Sequence, residues 1–212
     1  MGRTKTIALA LLAALAATVS PSQAQTQAGL PMLSLPSPTP SAQPLHEAKP
    51  LAAWSGFCQR YAAECAIDLN EAPRITLTPA TWATIAAVNR RVNRTLRPLT
   101  DMDHWGVPDR WDLAEDGAGD CEDYQLLKRK LLAEAGLPRR AMRMTVVIDE
   151  KGEGHAVLTL ITDRGDFVLD NKVGDVLAWH RTGYVFIKRE SAETVAWVSL
   201  GGVTSPVTTA NR

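Results

Sequence analysis

Near residue 140 the hydrophobic period of the chain changes from about four to two, and that change limits what it can fold into. Upstream, Cys121, Tyr124, Leu127, Leu131 and Ala135 recur at three- and four-residue spacing, which puts them on one face of a helix. Asp120 is placed to cap that helix, Asp123 falls where a capping box needs a side-chain acceptor, and Gly136 and Pro138 end it. Thr78-Pro79 opens an earlier helix that runs to about Leu96 and stops before Pro98. Its apolar face carries Trp82, Ile85, Val92 and Leu96, and also Asn89 and Asn93. Amides on such a face either satisfy buried backbone groups or brace a catalytic wall. Downstream, alternation predicts strands over 142–148, 155–161 and 167–170, with turns at 149–154 and 163–166. Residues 184–187 and 194–198 predict two more. Helices followed by antiparallel strands predict an α+β fold, a helical N-terminal part packed on an antiparallel β-sheet.

The 212 residues suffice for one domain with a sizeable core, expected over 51–200, with a flexible tail over 201–212. Residues 1–24 predict a signal peptide: Arg3 and Lys5, then an apolar run over 6–19, then a small-x-small site ending at Ala24. The run is shorter than the ~20 residues a membrane-spanning helix needs. Residues 25–50, with Pro-Ser-Pro-Thr-Pro-Ser in the middle, predict an extended, poorly ordered linker. Basic and acidic residues balance at 23 each, so nothing points to nucleic acid, which needs a basic patch. Four scattered histidines and the absence of a C-x-x-C pair make a zinc site unsupported.

Export to an oxidising compartment makes the three cysteines informative. Cys58 and Cys65 are close enough in sequence to close a small loop, a bridge worth ~2.5 kcal/mol on loop entropy alone. That leaves Cys121 over. It is then a buried core residue, a partner for another chain, or a nucleophile. At a helix N-terminus, backbone N–H groups and the helix dipole favour a thiolate. His155 opens one predicted strand and Asp170 closes the next, so thiol, imidazole and carboxylate occur in an order that supplies nucleophile, base and orienting group. A turn centred on Arg164-Gly165 would set Asp170 opposite Thr159, ~13 Å along the strand from His155. A direct contact needs a bulge or another register. Between the helices, residues 99–118 hold Asp101, Asp103, Asp109, Asp112, Glu115 and Asp116, either a solvated acidic surface or ligands for a hard cation.

Gly-Asp-Cys121-Glu-Asp-Tyr, then Gly-His155-Ala-Val-Leu, then Val-Leu-Asp170-Asn resemble the bacterial transglutaminase-like cysteine peptidases of the LapG type. The Phe57-Cys58 and Glu64-Cys65 segment and the Val88-Asn89 and Val92-Asn93 helix share the resemblance, which spans roughly 54–190. It implies a papain-like, transglutaminase-like fold, a periplasmic location and a Cys121–His155–Asp170 triad. It implies calcium as cofactor, with Asp120 and Glu122 as ligands. It also implies a large surface adhesin as protein substrate and an inner-membrane cyclic-di-GMP receptor as regulator, and so a role in biofilms. Calcium has a physical rationale as well: Asp120, Glu122 and Asp123 crowd negative charge around a thiol, and a cation would neutralise it. The competing expectations are an amidase or acyl-transferase on the same fold, and a binding module without catalysis.

Overall fold

A computed structural model describes residues 1–2 and 34–202. The expected signal peptide, apart from Met1 and Gly2, lies outside the described residues, as do 25–33 of the linker and 203–212 of the tail. The chain divides into two compact units, Met1–Pro31 and Met32–Arg212. In the second, chain order runs β1 (Glu47–Ala48), α1 (Ala52–Arg60), α2 (Ala62–Cys65), α3 (Pro79–Thr95), β2 (Arg97–Pro98), α4 (Asp101–Trp105), β3 (Ala118–Gly119) and α5 (Cys121–Glu134). It continues through β4 (Met142–Ile148), β5 (Gly154–Thr162), β6 (Gly165–Leu169), β7 (Leu177–Ala178), β8 (Val185–Glu190) and β9 (Trp197–Ser199). Seven strands form one antiparallel sheet in the order β1-β9-β8-β4-β5-β6-β7, while β2 and β3 pair in parallel. The fold is α+β, of the mixed helix and antiparallel-sheet kind expected of transglutaminase-like peptidases.

The helix α5 departs from the single apolar face that its spacing predicts. Tyr124, Leu127 and Leu131 pack with Val92 and Leu96 at α3. Leu126 and Leu132, on the other side, join Met142, Met144, Leu158 and Leu160 in the main core. A helix packed on both α3 and the sheet must bury two faces, and α5 carries charged groups inside to do so. Arg129 donates to Glu190 at 2.6 Å, and Glu190 also accepts from the Trp54 indole at 2.7 Å. Only a charge so partnered is tolerated at that depth.

The β5–β6 hairpin turns on Asp163-Arg164, one position earlier than the sequence suggests, with Thr162 opposite Gly165 and Leu158 opposite Leu169. The register is therefore displaced by two residues. Asp170, the residue after β6, comes level with Val157, two residues from His155 and on the same face. Gly165 has φ +102 and a Cβ there would collide with the Thr39 backbone, so glycine is required by both conformation and approach.

That approach belongs to a second departure. Residues 34–50, expected to be part of a poorly ordered linker, lie along the domain. Thr39 donates to Arg164 O at 2.8 Å, Leu45 donates to Ser199 O at 2.9 Å, and Glu47 pairs with Val198. Ala42 is held by the buried Asp166–Arg189 pair: its N–H donates to Asp166 at 3.1 Å and its carbonyl accepts from Arg189 at 3.3 Å. Prolines supply no donors and favour extended backbone, which suits an edge-lying strap as well as a tether. Cys58 and Cys65 form a disulfide, Cα–Cα 5.6 Å, that ties α1 to α2.

Candidate active site

Three elements converge on the site: the start of α5, the start of β5 and the loop after β6. The α5 N-terminus is built by its carboxylates. Asp120 and Asp123 form a reciprocal capping box, and Asp123 also accepts from Asp112 N at 2.6 Å. Gly119 precedes it because a Cβ there would strike the Asp123 side chain. Cys121 follows the Asp120 cap and is fully buried at the first helical position. Its thiol donates to Glu122 Oε2 at 3.1 Å. Burial pushes the thiol well above its ordinary pKa, and the charges of Glu122 and Asp120 push the same way, against a hydrogen bond from the Ala156 N–H. That N–H puts the sulfur beside β5, next to His155 in sequence.

His155 is fully buried, and its Nε2 lies 2.9 Å from Asp170 Oδ1. Nδ1 is buried and makes no hydrogen bond. Burial opposes charge on Asp170, but His155, the Tyr184 hydroxyl and the Lys172 N–H together hold its pKa below the ordinary value. The loop that carries Asp170 is pinned from α3. Asn93 donates to the carbonyls of Asp170 at 2.8 Å and Val173 at 3.1 Å, and Asn89 donates to those of Val173 and Gly174. These amides therefore satisfy part-buried backbone carbonyls, and those carbonyls belong to the loop that carries Asp170.

The carboxylates around Cys121 form a buried acidic cluster. Ligand atoms of Asp101, Asp109 and Glu122 lie within 4.8 Å of one another, as do those of Asp101, Asp120 and Asp123. Asp123 is taken by backbone donors at both oxygens. Asp101, Asp109, Asp120 and Glu122, each of which accepts a hydrogen bond, offer carboxylate oxygens of the kind a hard cation takes. Burial raises the Asp101 carboxyl to about 6, opposed by a backbone donor at Arg110 and reinforced by the charge of Asp120. Glu122 is driven well up by burial, then by Asp120 and Asp123. Carboxyls in such numbers cannot all ionise without positive charge, so the residues fit a bound cation. The family resemblance points to Asp120 and Glu122. The sequence places Asp101 and Asp109 only in an acidic loop, because the fold of 99–118 decides which carboxylates turn inward.

A cleft of about 230 Å³ opens here, lined by Leu99, Thr100, Gly119, Asp120, Tyr124 and Asn171 among others. A larger hollow of about 480 Å³, between residues 36–39 and β7, contains none of the site residues. Two groups at the site went unassigned in the sequence. Tyr184 donates to Asp170, and Lys128 is a fully buried amine that donates to Gln125 at 3.3 Å.

A family model described as bacterial transglutaminase-like cysteine proteinase matches residues 45–205. No curated protein matches the chain. Among solved structures, calcium-bound LapG of Legionella pneumophila aligns at 23% identity over 59% of this chain and 73% of its own, with a TM-score of 0.49. A second structure of Legionella pneumophila LapG aligns at 23% identity over 58% and 71%, also with a TM-score of 0.49. The EGTA-treated form aligns at 23% over 55% and 66%, TM-score 0.46.

Proposed function

The chain belongs to the bacterial transglutaminase-like cysteine proteinase family, a family of cysteine peptidases, and we propose that it is a calcium-dependent periplasmic endopeptidase whose triad is Cys121, His155 and Asp170. The carrying observation is the buried His155 Nε2–Asp170 Oδ1 contact of 2.9 Å, next to a thiol at a helix start.

With Asp170 ionised, Nε2 carries the proton of that hydrogen bond and Nδ1 is left as the base. The Cys121 proton passes to Nδ1 as the sulfur adds to the scissile carbonyl carbon. The Cys121 N–H, at the first helical position, would donate to the oxyanion. The imidazolium then protonates the departing amine, leaving a thioester. Water, deprotonated by the same nitrogen, releases the acid and restores the thiol.

Asp101, Asp109, Asp120 and Glu122 would hold the cation. Bound there, calcium supplies the positive charge that offsets four carboxylates beside a thiol that must ionise. Residues 1–24 would direct export, and no helix among the described residues is long and apolar enough to cross a membrane. A large surface adhesin is the candidate substrate, and an inner-membrane cyclic-di-GMP receptor the candidate regulator, both suggested by the resemblance to the LapG type.

The test compares surface-protein fragments released by cells expressing the wild type or Cys121→Ala, analysed by mass spectrometry with and without EGTA. Fragments should appear only with wild-type protein, and EGTA should suppress them. Identical fragments from both proteins would remove Cys121 from the chemistry.

A further inference from the structure

Asp170 is held from two sides. Oδ1 lies 2.9 Å from His155 Nε2 and accepts from Lys172 N at 3.0 Å, whereas Oδ2 accepts from the Tyr184 hydroxyl at 2.7 Å. The Tyr184 ring stands edge-on to the imidazole, centroids 5.7 Å apart at 83°. Tyr184 sits just before β8, half-buried against the cluster of Val147, Val157, Val168 and Phe186. One side chain therefore touches both partners of the His–Asp pair, from a segment, just before β8, that carries neither.

We infer that Tyr184 is a positioning residue for the nucleophile: its hydroxyl fixes the Asp170 carboxylate so that Oδ1 stays on His155 Nε2, and its ring keeps water from the pair. The inference rests on the triad proposed above. A carboxylate with only one oxygen bound can swing about its Cβ–Cγ bond or exchange that contact for water. With both oxygens bound from fixed donors it keeps one orientation, and the imidazole keeps Nε2 on the carboxylate and leaves Nδ1 for the base role proposed above. The edge-on ring lowers the local dielectric, which strengthens the same contact. The alternative is that Tyr184 only packs against its apolar neighbours. Tyr184→Phe separates the two, because it keeps the ring and removes the hydroxyl.

The full chain, supplied with calcium, is alkylated with iodoacetamide at neutral pH and followed by intact mass, while the His155 Nε2 proton is followed by NMR. His155→Ala should lose most of the Cys121 reactivity. Tyr184→Phe should react roughly tenfold more slowly than wild type, the effect of losing one hydrogen bond to a charged group. Its Nε2 proton should exchange faster with solvent. In an Asp170→Asn background, Tyr184→Phe should slow alkylation no further, since its action runs through that carboxylate. If Tyr184→Phe alkylates and exchanges like wild type while His155→Ala is slow, the inference fails and the triad stands. A slowing that persists in the Asp170→Asn background makes Tyr184 a packing residue and also overturns it. If His155→Ala itself reacts at the wild-type rate, the triad fails and the inference falls with it.

Discussion

Asp170 occupies the position where chain geometry and chemistry meet. Its side chain takes hydrogen bonds from His155, Tyr184 and the Lys172 backbone, and its own carbonyl is held by Asn93. Asp170→Asn keeps the shape but presents an amide that cannot stabilise an imidazolium, and it should cost on the order of 10² to 10⁴ in turnover. Asn93→Ala acts one step back. It leaves the Asp170 and Val173 carbonyls without their donor and should destabilise by ~1–2 kcal/mol, with a smaller loss of turnover. Chemical denaturation and cleavage kinetics of the two variants should separate these effects. Cys121, His155 and Asp170 were legible in the sequence because each sits at the start or end of a predicted element. Tyr184 was not, since a tyrosine before a strand looks like any β-former until the fold sets its hydroxyl against a carboxylate. Asp101 and Asp109 were half legible: the acidic loop was visible, but its fold was not.

At the scale of elements, α5 shows where periodicity stops informing. Its caps follow directly from Asp120, Asp123 and Gly136, but its burial does not, because a helix enclosed on two sides hides charged residues that any helical wheel assigns to solvent. Arg129 is such a residue, 1% exposed at the side chain and paired with Glu190 at 5%. Glu190 would be pushed up by burial, but Arg129 first and then Arg143 hold it below its ordinary pKa. The sign follows: this contribution to stability is present above the unfolded carboxyl pKa and is lost as pH falls through the folded one. Arg129→Met removes the main counter-charge and leaves a buried carboxylate with the Trp54 indole and the Met144 N–H. The loss should be about 3–5 kcal/mol at neutral pH, read from urea midpoints at unchanged slope. The hairpin register is the parallel lesson in β-structure. One residue of error in placing the turn shifted the pairing by two and separated His155 from Asp170, a distance that the true two-residue turn closes.

Across the whole molecule, the composition of 34–50 misleads for a physical reason: proline-rich segments are extended whether they hang free or lie on a sheet, and only contacts made by the fold, among them the Asp166–Arg189 anchor and the Thr39 and Leu45 backbone bonds, distinguish the cases. The acidic cluster has a similarly wide reach, since it joins α4, the 106–119 connection and α5 through carboxyls that are distant in sequence. Asp101 is its common member. With its folded pKa raised from 3.8 to about 6, its contribution is fully present below the unfolded value and is lost as pH rises through about 6. The protein without calcium should therefore lose stability between about pH 4 and about pH 6, as the cluster is forced to ionise. A calcium ion held there would bind the ionised carboxylates, so its stabilisation should grow over the same interval. At a hundredfold excess over its dissociation constant it would add ~2.7 kcal/mol. Melting temperatures in calcium and in EGTA should therefore be close near pH ~4 and diverge toward neutrality, where protons no longer compete for the carboxylates. Asp101→Asn should remove both behaviours together: the decline without calcium should flatten, and calcium should no longer raise the melting temperature. Magnesium, which demands octahedral geometry and gives up water reluctantly, should substitute poorly. A calcium-to-EGTA difference that is the same at every pH would mean that the ion binds away from Asp101, and that this carboxyl titrates without reference to it.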